Sequence, residues 1–316
     1  LEFFDHVLGT AKVDPRVCLE KGITYEAPLR VTARLTNLQT KTEQEQEVFL
    51  GDIPLMTASG TFIINGVERV VVSQLVRSPG VFFTREIDPN SGRSLYNAEI
   101  RPLRGSWLEV NVSRHDHLSV KVDRYRKISA TTLLRAMGYT NEQIKGLFTG
   151  VDTDTDHQYI ETTLLRDTSS TPEEAVLEFY EKIRPGEPAV LENAKNLLHQ
   201  MFFDPRRYDL GQVGRYKLNK KLGTNVPVDS SHTVINREDV VGVIKYIIGL
   251  QNGNGRTDDI DHLANRRVRR VGELVCQTAF RNGLIRLERS IKEKMSLAKA
   301  DELHAPSTFV NARPII

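Results

Sequence analysis

The chain has 316 residues, which is enough for about two domains of roughly 150 residues each. Its 39% hydrophobic and 27% charged residues are typical of a folded globular protein, and a net charge of +2 leaves any nucleic-acid contact to local patches. Only Cys18 and Cys276 are present, which argues against a disulfide scaffold and fits a reducing cytosol. No apolar run approaches the roughly 18 residues of a membrane span.

Alternating apolar and polar residues predict strands early in the chain. Residues 24–38 alternate through Leu29, Val31, Ala33 and Leu35, and residues 46–55 are a second candidate strand. Asn65 and Gly66 stand between apolar runs and predict a hairpin, because both residues tolerate positive φ. We therefore expect an antiparallel sheet of three or more strands.

A second β meander is predicted after the break at residues 77–80. Its strands are the alternating runs at 95–103, 107–113 and 118–123. Trp107 is the only tryptophan, and two interpretations are open for it. A core position is favoured by how often tryptophan is buried, whereas an exposed ring would offer a stacking surface to an unpaired base.

Helix signals dominate from about Ile128 onward. The predicted helix starts are Ser129, Thr140 with Gln143 as a capping box, Thr171 with Pro172 and Glu174, and Asn236. A last long helix is predicted from about Val268 to Met295, with a core face of Val271, Leu274, Val275, Thr278, Ile285, Leu287 and Ile291. Between these helices, Asp152, Asp154 and Asp156 have the spacing that opens a calcium loop. His157 and Thr163 do not fit its later positions, so a solvated loop is favoured.

The most charged stretch is residues 257–273. Three aspartates (Asp258, Asp259, Asp261) are followed by four arginines (Arg266, Arg267, Arg269, Arg270). Guanidinium groups suit phosphates and the edge of guanine, although a solvated surface turn is an equal alternative. A metal site that includes His262 is disfavoured by the nearby arginines, and ion-paired carboxylates are favoured instead. The sequence contains no legible catalytic triad or phosphate-binding glycine loop.

Five stretches in one order carry a family resemblance: GDIPLMTASGTFIINGVERVVVSQLVRSPGVFF (51–83), LRGSWLE (103–109), RPGEP (184–188), RRYDLGQVGRYKLN (206–219) and DDIDHLANRRVRRVGEL (258–274). Together they resemble the N-terminal portion of the β subunit of bacterial DNA-directed RNA polymerase. The chain departs from the family at Ala264, where glycine is usual. If that position needs positive φ, alanine would be strained there.

The resemblance implies an α+β fold of two domains. Residues 1–72 and 264–316 would form a β-rich protrusion domain, completed by a C-terminal helix. Residues 73–263 would form an inserted mixed α/β lobe domain that is rich in helices. The resemblance also implies a bacterial cytoplasmic protein associated with the nucleoid, with the β′, α, ω and σ subunits and DNA as partners. The catalytic magnesium would be held by another subunit, so we expect no cofactor in this chain and no nucleotidyl transfer by it alone.

The resemblance further implies one wall of the DNA cleft, in contact with nontemplate-strand and downstream DNA. The implied DNA-binding residues are Arg77, Ile260, Asp261 and Arg266 around a guanine, Trp107 stacked on the preceding base, and Arg184, Arg207 and Arg269. Arg69, Val72 and Gln74 match the edge of the rifamycin pocket. Plain hairpin structure is an equal alternative for these three, since Val72 also fits a strand core.

An alternative function is open for this piece. Residues 43–49 match the strand on which the family receives regulators, namely the transcription-repair coupling factor or CarD-like activators. Glu43, Gln44 and Glu45 would be the docking residues of an edge strand, and their charge predicts a basic partner surface. A stand-alone DNA-binding protein is disfavoured, because the chain has no helix-turn-helix or zinc signature.

Overall fold

The computed structural model describes residues 1–37, 41–123, 125–298 and 305–315. The chain forms two compact units, one of Leu1–Leu75 with Val268–Ile316 and one of Val76–Arg267. Both contain strands and helices, so the predicted α+β class is confirmed. The identity of the units as protrusion and lobe, with boundaries near residues 72 and 263, stays a prediction.

The discontinuous unit is built on a three-stranded antiparallel sheet. Its order is β1 (Glu2–Leu8), β2 (Glu26–Thr36) and β3 (Glu43–Pro54). In β2 the alternation buries Ala27, Leu29 and Ala33, as expected for a half-buried strand. The sheet expected from the sequence is therefore present, although Leu38 at the end of the predicted strand lies outside the described residues.

The hairpin predicted at Asn65 and Gly66 is confirmed. It joins β4 (Phe62–Ile64) to β5 (Val67–Arg69), with both turn residues at positive φ. The turn lies against the end of α1 (Pro15–Lys21), where a Cβ on Gly66 would approach the Cα of Gly22 to 2.4 Å. Only glycine fits at position 66, for steric as well as conformational reasons.

The single helix predicted from Val268 to Met295 is wrong at its start. Residues Arg266–Arg269 form strand β12, which pairs with β6 (Gln74–Arg77) in a two-stranded sheet. A π-helical segment, Glu273–Phe280, follows and leads into α9 (Arg281–Leu297). The wider π turns change the angular spacing of the side chains, and the predicted core face is exposed in part, although its members Leu287 and Ile291 are buried as predicted.

The buried face of α9 consists of Gly283, Leu287 and Ile291. Val275, Thr278 and Ile285, which were predicted to face the core, are exposed. Leu287 and Ile291 pack with the buried side chains Leu29, Leu50 and Phe309, the last of them on the short helix α10 (Pro306–Phe309). This cluster is the apolar core between the sheet and α9.

The second unit contains a five-stranded antiparallel sheet. Its strands in spatial order are β11 (Ile128–Ser129), β10 (Leu118–Val122), β9 (Leu108–Val112), β8 (Ser94–Arg101) and β7 (Gly80–Ile87). The predicted meander is confirmed for β8, β9 and β10. Strand β7 was not predicted, because its first four residues are all buried and show no alternation.

In the described residues of this unit, seven helices share one hydrophobic core with the sheet: α2 (Ala130–Ala136), α3 (Asn141–Phe148), α4 (Tyr159–Arg166), α5 (Pro172–Ile183), α6 (Leu191–Phe202), α7 (Gly211–Leu222) and α8 (Arg237–Gln251). Capping boxes are present at Thr140, Thr171 and Asn236, the last with Asp239 as its partner. Ser129 precedes α2 as predicted, but its side chain does not cap the helix. Its hydroxyl instead lies 3.0 Å from His117 Nε2.

The aspartate-rich loop before α4 is less solvated than predicted. Asp152 is half-buried and accepts the backbone N–H groups of Tyr159 (3.2 Å) and Ile160 (2.8 Å) at the start of that helix. Burial raises the pKa of the Asp152 carboxyl, and the two hydrogen bonds oppose that shift. Asp152 is thus part of the helix start.

Within the described ranges, no helix has the length and apolar character that crossing a membrane requires.

Candidate nucleic-acid interface

The acidic beginning of the charged stretch is fixed to the sheet. The backbone N–H of Asp258 donates to the carbonyl of Phe83 (2.7 Å), and its carboxylate accepts the N–H of Phe83 (2.9 Å). Lys221 on α7 contributes an ion pair to the other carboxylate oxygen at 2.7 Å. These bonds attach the stretch to β7 and α7. A freely solvated turn would have no such attachment.

Lys217 ties the same stretch to the break that precedes β7. Its ammonium donates to Ser78 Oγ (2.6 Å), the Ala264 carbonyl (3.0 Å) and Asn265 Oδ1 (3.3 Å). The N–H of Ser78 also donates to the carbonyl of Asn265 at 2.9 Å. Burial lowers the pKa of Lys217, and the nearby Asp258 carboxylate partly offsets this. The structure therefore brings Arg77 and Arg266 into one region through their neighbours.

Asp261 and Arg266 form an exposed ion pair. Arg266 Nη2 lies 2.6 Å from Asp261 Oδ1, and the Asp261 side chain is 75% exposed. Ile260 beside it is half-buried. A cleft of about 400 Å³ opens next to Arg266 and Arg267, with Pro79 and Lys217 in its walls. This arrangement presents a carboxylate acceptor, an aliphatic surface and positive charge within a few residues.

The remaining features of the stretch are turn contacts. Asp259 Oδ1 accepts the N–H of Asp261 (2.9 Å), and His262 Nδ1 accepts the N–H of Ala264 (3.1 Å). The stretch contains a 3₁₀ turn, Leu263–Asn265, and is otherwise not helical up to Arg269. Ala264 lies in that turn without positive φ, so the strain considered for it is absent.

Trp107 is exposed, so the core interpretation of this residue is wrong. The residue is 41% accessible and lies immediately before β9. The guanidinium of Arg101 lies over its ring, with Cζ 4.2 Å from the ring centroid. Arg101 is in turn paired with Glu99 (2.6 Å), and Glu99 also accepts from Arg77 (2.8 Å). One carboxylate thus links Arg77 to the residue that stacks on Trp107.

The backbone around Trp107 is held from two sides. Its N–H donates to Asp123 Oδ1 (2.7 Å), and its carbonyl accepts the N–H of Asp123 (2.9 Å). Arg104 and Asp209 exchange two backbone hydrogen bonds of 3.0 and 2.8 Å. The turn residue Gly105, at φ 120°, passes so close to Tyr208 that a Cβ would clash at 2.8 Å. The segments around Trp107 and Arg207 are therefore neighbours, and the Arg207 side chain is exposed.

Among the described residues, Arg184 is not joined to this group by a hydrogen bond or an ion pair, whereas Arg269 shares strand β12 with Arg266. Arg184 follows α5 and pairs with Glu187 at 3.1 Å. Hydrogen bonds from Tyr180 and Arg184 lower the pKa of Glu187, and the bond to Glu187 raises the pKa of Arg184. Arg269 belongs to the discontinuous unit, where it donates to Thr278 Oγ1 at 2.6 Å.

Arg69, Val72 and Gln74 lie on exposed parts of the discontinuous unit. Val72 is 74% exposed and lies between β5 and β6, outside any strand. The strand-core alternative considered for Val72 is therefore wrong. None of the three side chains therefore contributes to the buried core of this unit.

Glu43, Gln44 and Glu45 are exposed on β3, which pairs with β2 and lies at the edge of its sheet in the described part of the chain. Both acidic residues face one arginine of β2: Arg34 lies 2.6 Å from Glu45 and 3.9 Å from Glu43. The bond to Glu45 raises the pKa of Arg34. The sequence interpretation missed this basic partner, which only the strand register reveals.

Comparison with known proteins agrees with the resemblance carried by the motifs. The family model described as RNA polymerase Rpb2, domain 2 matches residues 77–269. A DNA-directed RNA polymerase subunit beta from Chloroflexus aggregans is 46% identical over 345 aligned positions, which cover 100% of this chain. A protein of the same name from Syntrophomonas wolfei is 46% identical over 316 positions. The chain spans 28% of the length of each relative. On this evidence, the chain belongs to the RNA polymerase Rpb2 domain 2 family.

Proposed function

We propose that this chain forms part of one wall of the DNA cleft of a bacterial RNA polymerase, as a portion of its β subunit. In this role, the unit Val76–Arg267 contacts the unpaired nontemplate strand. The observation that carries the proposal is the exposed Trp107 ring, held through Arg101 and Glu99 to Arg77. An exposed indole among arginines is suited to an unpaired base with its phosphate.

The chemistry of the contact follows from the residue types. Trp107 stacks on one base, and Asp261 accepts hydrogen bonds from N1 and N2 of the guanine that follows it. Ile260 lies against the apolar face of that guanine. Arg77 and Arg266 neutralise the flanking phosphates, so binding weakens as salt increases. Because Asp261 is already exposed, exchange of its Arg266 contact for a base edge costs little desolvation.

Arg184, Arg207 and Arg269 supply further phosphate contacts to downstream and promoter DNA in this proposal. These contacts give no base specificity, because a guanidinium bound to a phosphate does not contact the base. Arg69, Val72 and Gln74 form the edge of the rifamycin pocket, for which their exposure leaves them available.

The proposed setting is the polymerase with its β′, α, ω and σ subunits, at the nucleoid in the bacterial cytoplasm. The catalytic magnesium is held by another subunit in this proposal. The chain has no cofactor of its own and transfers no nucleotide alone. It contributes binding and positioning of DNA.

Fluorescence anisotropy of a labelled single strand that contains thymine followed by guanine tests the proposal. The chain is compared with Trp107→Ala and Asp261→Ala in a salt series. We expect affinity to fall with salt and both variants to bind more weakly, with guanine preference lost in Asp261→Ala. Binding that neither substitution changes would contradict the DNA-wall proposal.

A second function is favoured by the edge position of β3. We propose that this edge accepts a strand from a regulator, either the transcription-repair coupling factor or a CarD-like activator. Since Arg34 partly neutralises Glu43 and Glu45, backbone pairing contributes more than charge, and basic residues of the partner add specificity.

The test is Glu43→Lys with Glu45→Lys, measured against the polymerase-binding domain of a transcription-repair coupling factor. Glu20→Lys with Glu181→Lys is the control, because it changes net charge equally at two other exposed positions. We expect only the β3 variant to lose regulator binding, with oligonucleotide affinity unchanged relative to the control. Equal regulator affinity of the two variants would exclude this docking site.

A further inference from the structure

We propose that Arg101, held by Glu99, is a positioning residue that makes Trp107 a base platform with one open face. The inference rests on the proposed contact between Trp107 and an unpaired base, and it deepens that contact. It names the two side chains that fix the ring before any nucleic acid arrives.

The strand register brings Arg101 to Trp107. Strands β8 and β9 are antiparallel, with Ile100 opposite Leu108, so continued pairing sets position 101 opposite 107. Side chains directly opposite on one face of a sheet lie close enough to touch. The guanidinium accordingly covers the ring at 4.2 Å, well within the reach of a cation–π contact.

Glu99 holds the guanidinium in place. It stands two residues before Arg101 on β8, so both side chains project from the same face of the sheet. Its carboxylate binds Arg101 through Oε1 (2.6 Å) and Arg77 through Oε2 (2.8 Å). The Arg101 and Glu99 side chains are 20% and 18% exposed, so the pair is shielded more than a typical surface pair. A largely shielded carboxylate between two arginines restricts the movement of both guanidinium groups.

The consequence is an indole with one face covered and the other open. The backbone of Trp107 is fixed by Asp123, and its ring is fixed by Arg101, so little rotamer freedom remains to be lost on stacking. A base that approaches the open face meets a preorganised surface. Arg101 acts through Trp107 and does not itself need to touch the nucleic acid.

Trp107 is the only tryptophan, so intrinsic fluorescence reports on this ring alone. The first test compares acrylamide quenching of the free chain with that of Arg101→Leu, Arg101→Lys and Glu99→Gln. Arg85→Leu is the matched control, because Arg85 lies at the other end of the β7–β8 hairpin, opposite Tyr96. We expect a quenching constant about twofold higher in Arg101→Leu, since loss of the guanidinium opens the second face of the ring.

Smaller increases in the same direction are expected for Arg101→Lys and Glu99→Gln, and none for Arg85→Leu. Arg101→Lys keeps the charge and most of the side chain, so it decides the question if Arg101→Leu does not fold. Quenching that is unchanged in the Arg101 variants would overturn the inference, whatever their affinity for DNA.

The second test measures affinity for two single strands that differ only in a base or an abasic site at the stacking position. Their affinity ratio isolates the base contact from phosphate attraction. We expect the ratio to fall about two- to fivefold in both Arg101 variants, the size of one exposed cation–π contact. If Arg101→Lys has the same affinity ratio as the unaltered chain, Arg101 contributes only its charge, and its proposed positioning role is overturned.

The two tests separate the inference from the function on which it rests. If the unaltered chain binds both strands equally, the proposed base contact fails and the platform with it. The quenching series still decides whether Arg101 and Glu99 fix the ring.

Discussion

Arginine–carboxylate pairs occur in two settings within the unit Val76–Arg267, and they serve different purposes. In the interior, Arg215 pairs with Asp239, and both side chains are 1% exposed. At the surface, Arg266 pairs with Asp261, whose carboxylate is mostly in solvent. The groups are chemically the same, but the interior pair cannot exchange partners without exposing a buried charge, whereas the surface pair can.

The interior pair is surrounded by further bonds. Arg215 donates to both oxygens of Asp239 (2.9 and 2.8 Å) and to the carbonyl of His232 (3.0 Å). Asp239 also accepts the N–H of Asn236 (2.9 Å) in the capping box of α8. A second buried pair, Arg135 with Asp167, is held in the same manner near Ser169. These pairs fix helices, while the surface pairs are available to a ligand.

The largest expected effect is on the interior. Asp239→Ala removes one partner and leaves Arg215 charged in an apolar region, so we expect a loss of about 3–5 kcal/mol of unfolding free energy. Urea denaturation followed by circular dichroism measures it. The double variant Arg215→Met with Asp239→Leu should lose far less, because no charge is left buried. A loss below about 1 kcal/mol in Asp239→Ala would put the pair in the same class as surface pairs.

The next largest effect is expected on oligonucleotide affinity, with little change in the stability of the fold. Trp107→Ala should cost about 1–3 kcal/mol of affinity for the thymine–guanine strand, the range for one stacked base. The unfolding midpoint should change little, since the ring is partly exposed and its neighbours keep their backbone bonds. Parallel anisotropy and denaturation measurements check this. If stability falls as much as affinity, Trp107 belongs with the interior residues.

A smaller effect is expected at a helix start. Thr171→Ala removes the side-chain oxygen that accepts the N–H of Glu174 at the start of α5, at a cost of about 1 kcal/mol. Thr171→Ser keeps the oxygen and should restore most of the loss. Urea denaturation of both variants measures the difference. Equal stability of the alanine and serine variants would show that the hydroxyl does not contribute.

Local patterns were predicted from the sequence more fully than non-local ones. The capping boxes at Thr140 and Thr171 and the turn at Gly66 depend on residues three or fewer positions apart. The stack of Arg101 on Trp107 depends on the register of two strands, which no pattern within either strand specifies. The π-helical segment Glu273–Phe280 likewise departs from the regular helical period, and its residues Val275 and Thr278 are exposed although that period predicts a core position for them.

The candidate site was predicted as a set of residue types, and its contacts were not. The acidic and basic halves of the charged stretch, residues 257–273, can be recognised in the sequence. The partners that anchor them, Lys217 and Lys221 on α7, lie about forty residues earlier in the chain. Their spacing of four on one helix was the available signal, since such residues share a face. That this face contacts the charged stretch could not be predicted without the fold.

The smallest expected effect on stability belongs to the surface pair, and it sharpens the contrast with the interior most directly. Asp261→Asn keeps the shape of the side chain and removes its charge, so unfolding free energy should change by less than about 1 kcal/mol, as for other exposed pairs. The preference of the chain for guanine over adenine in the thymine–guanine strand should fall at the same time, because an amide presents one acceptor oxygen where the carboxylate presents two. Competition anisotropy with the two strands measures the preference, and urea denaturation measures the stability. A stability loss near that of Asp239→Ala would mean that Asp261 holds the stretch together, and the distinction between structural and ligand-facing arginine pairs would then fail at the residue on which the proposed guanine contact depends.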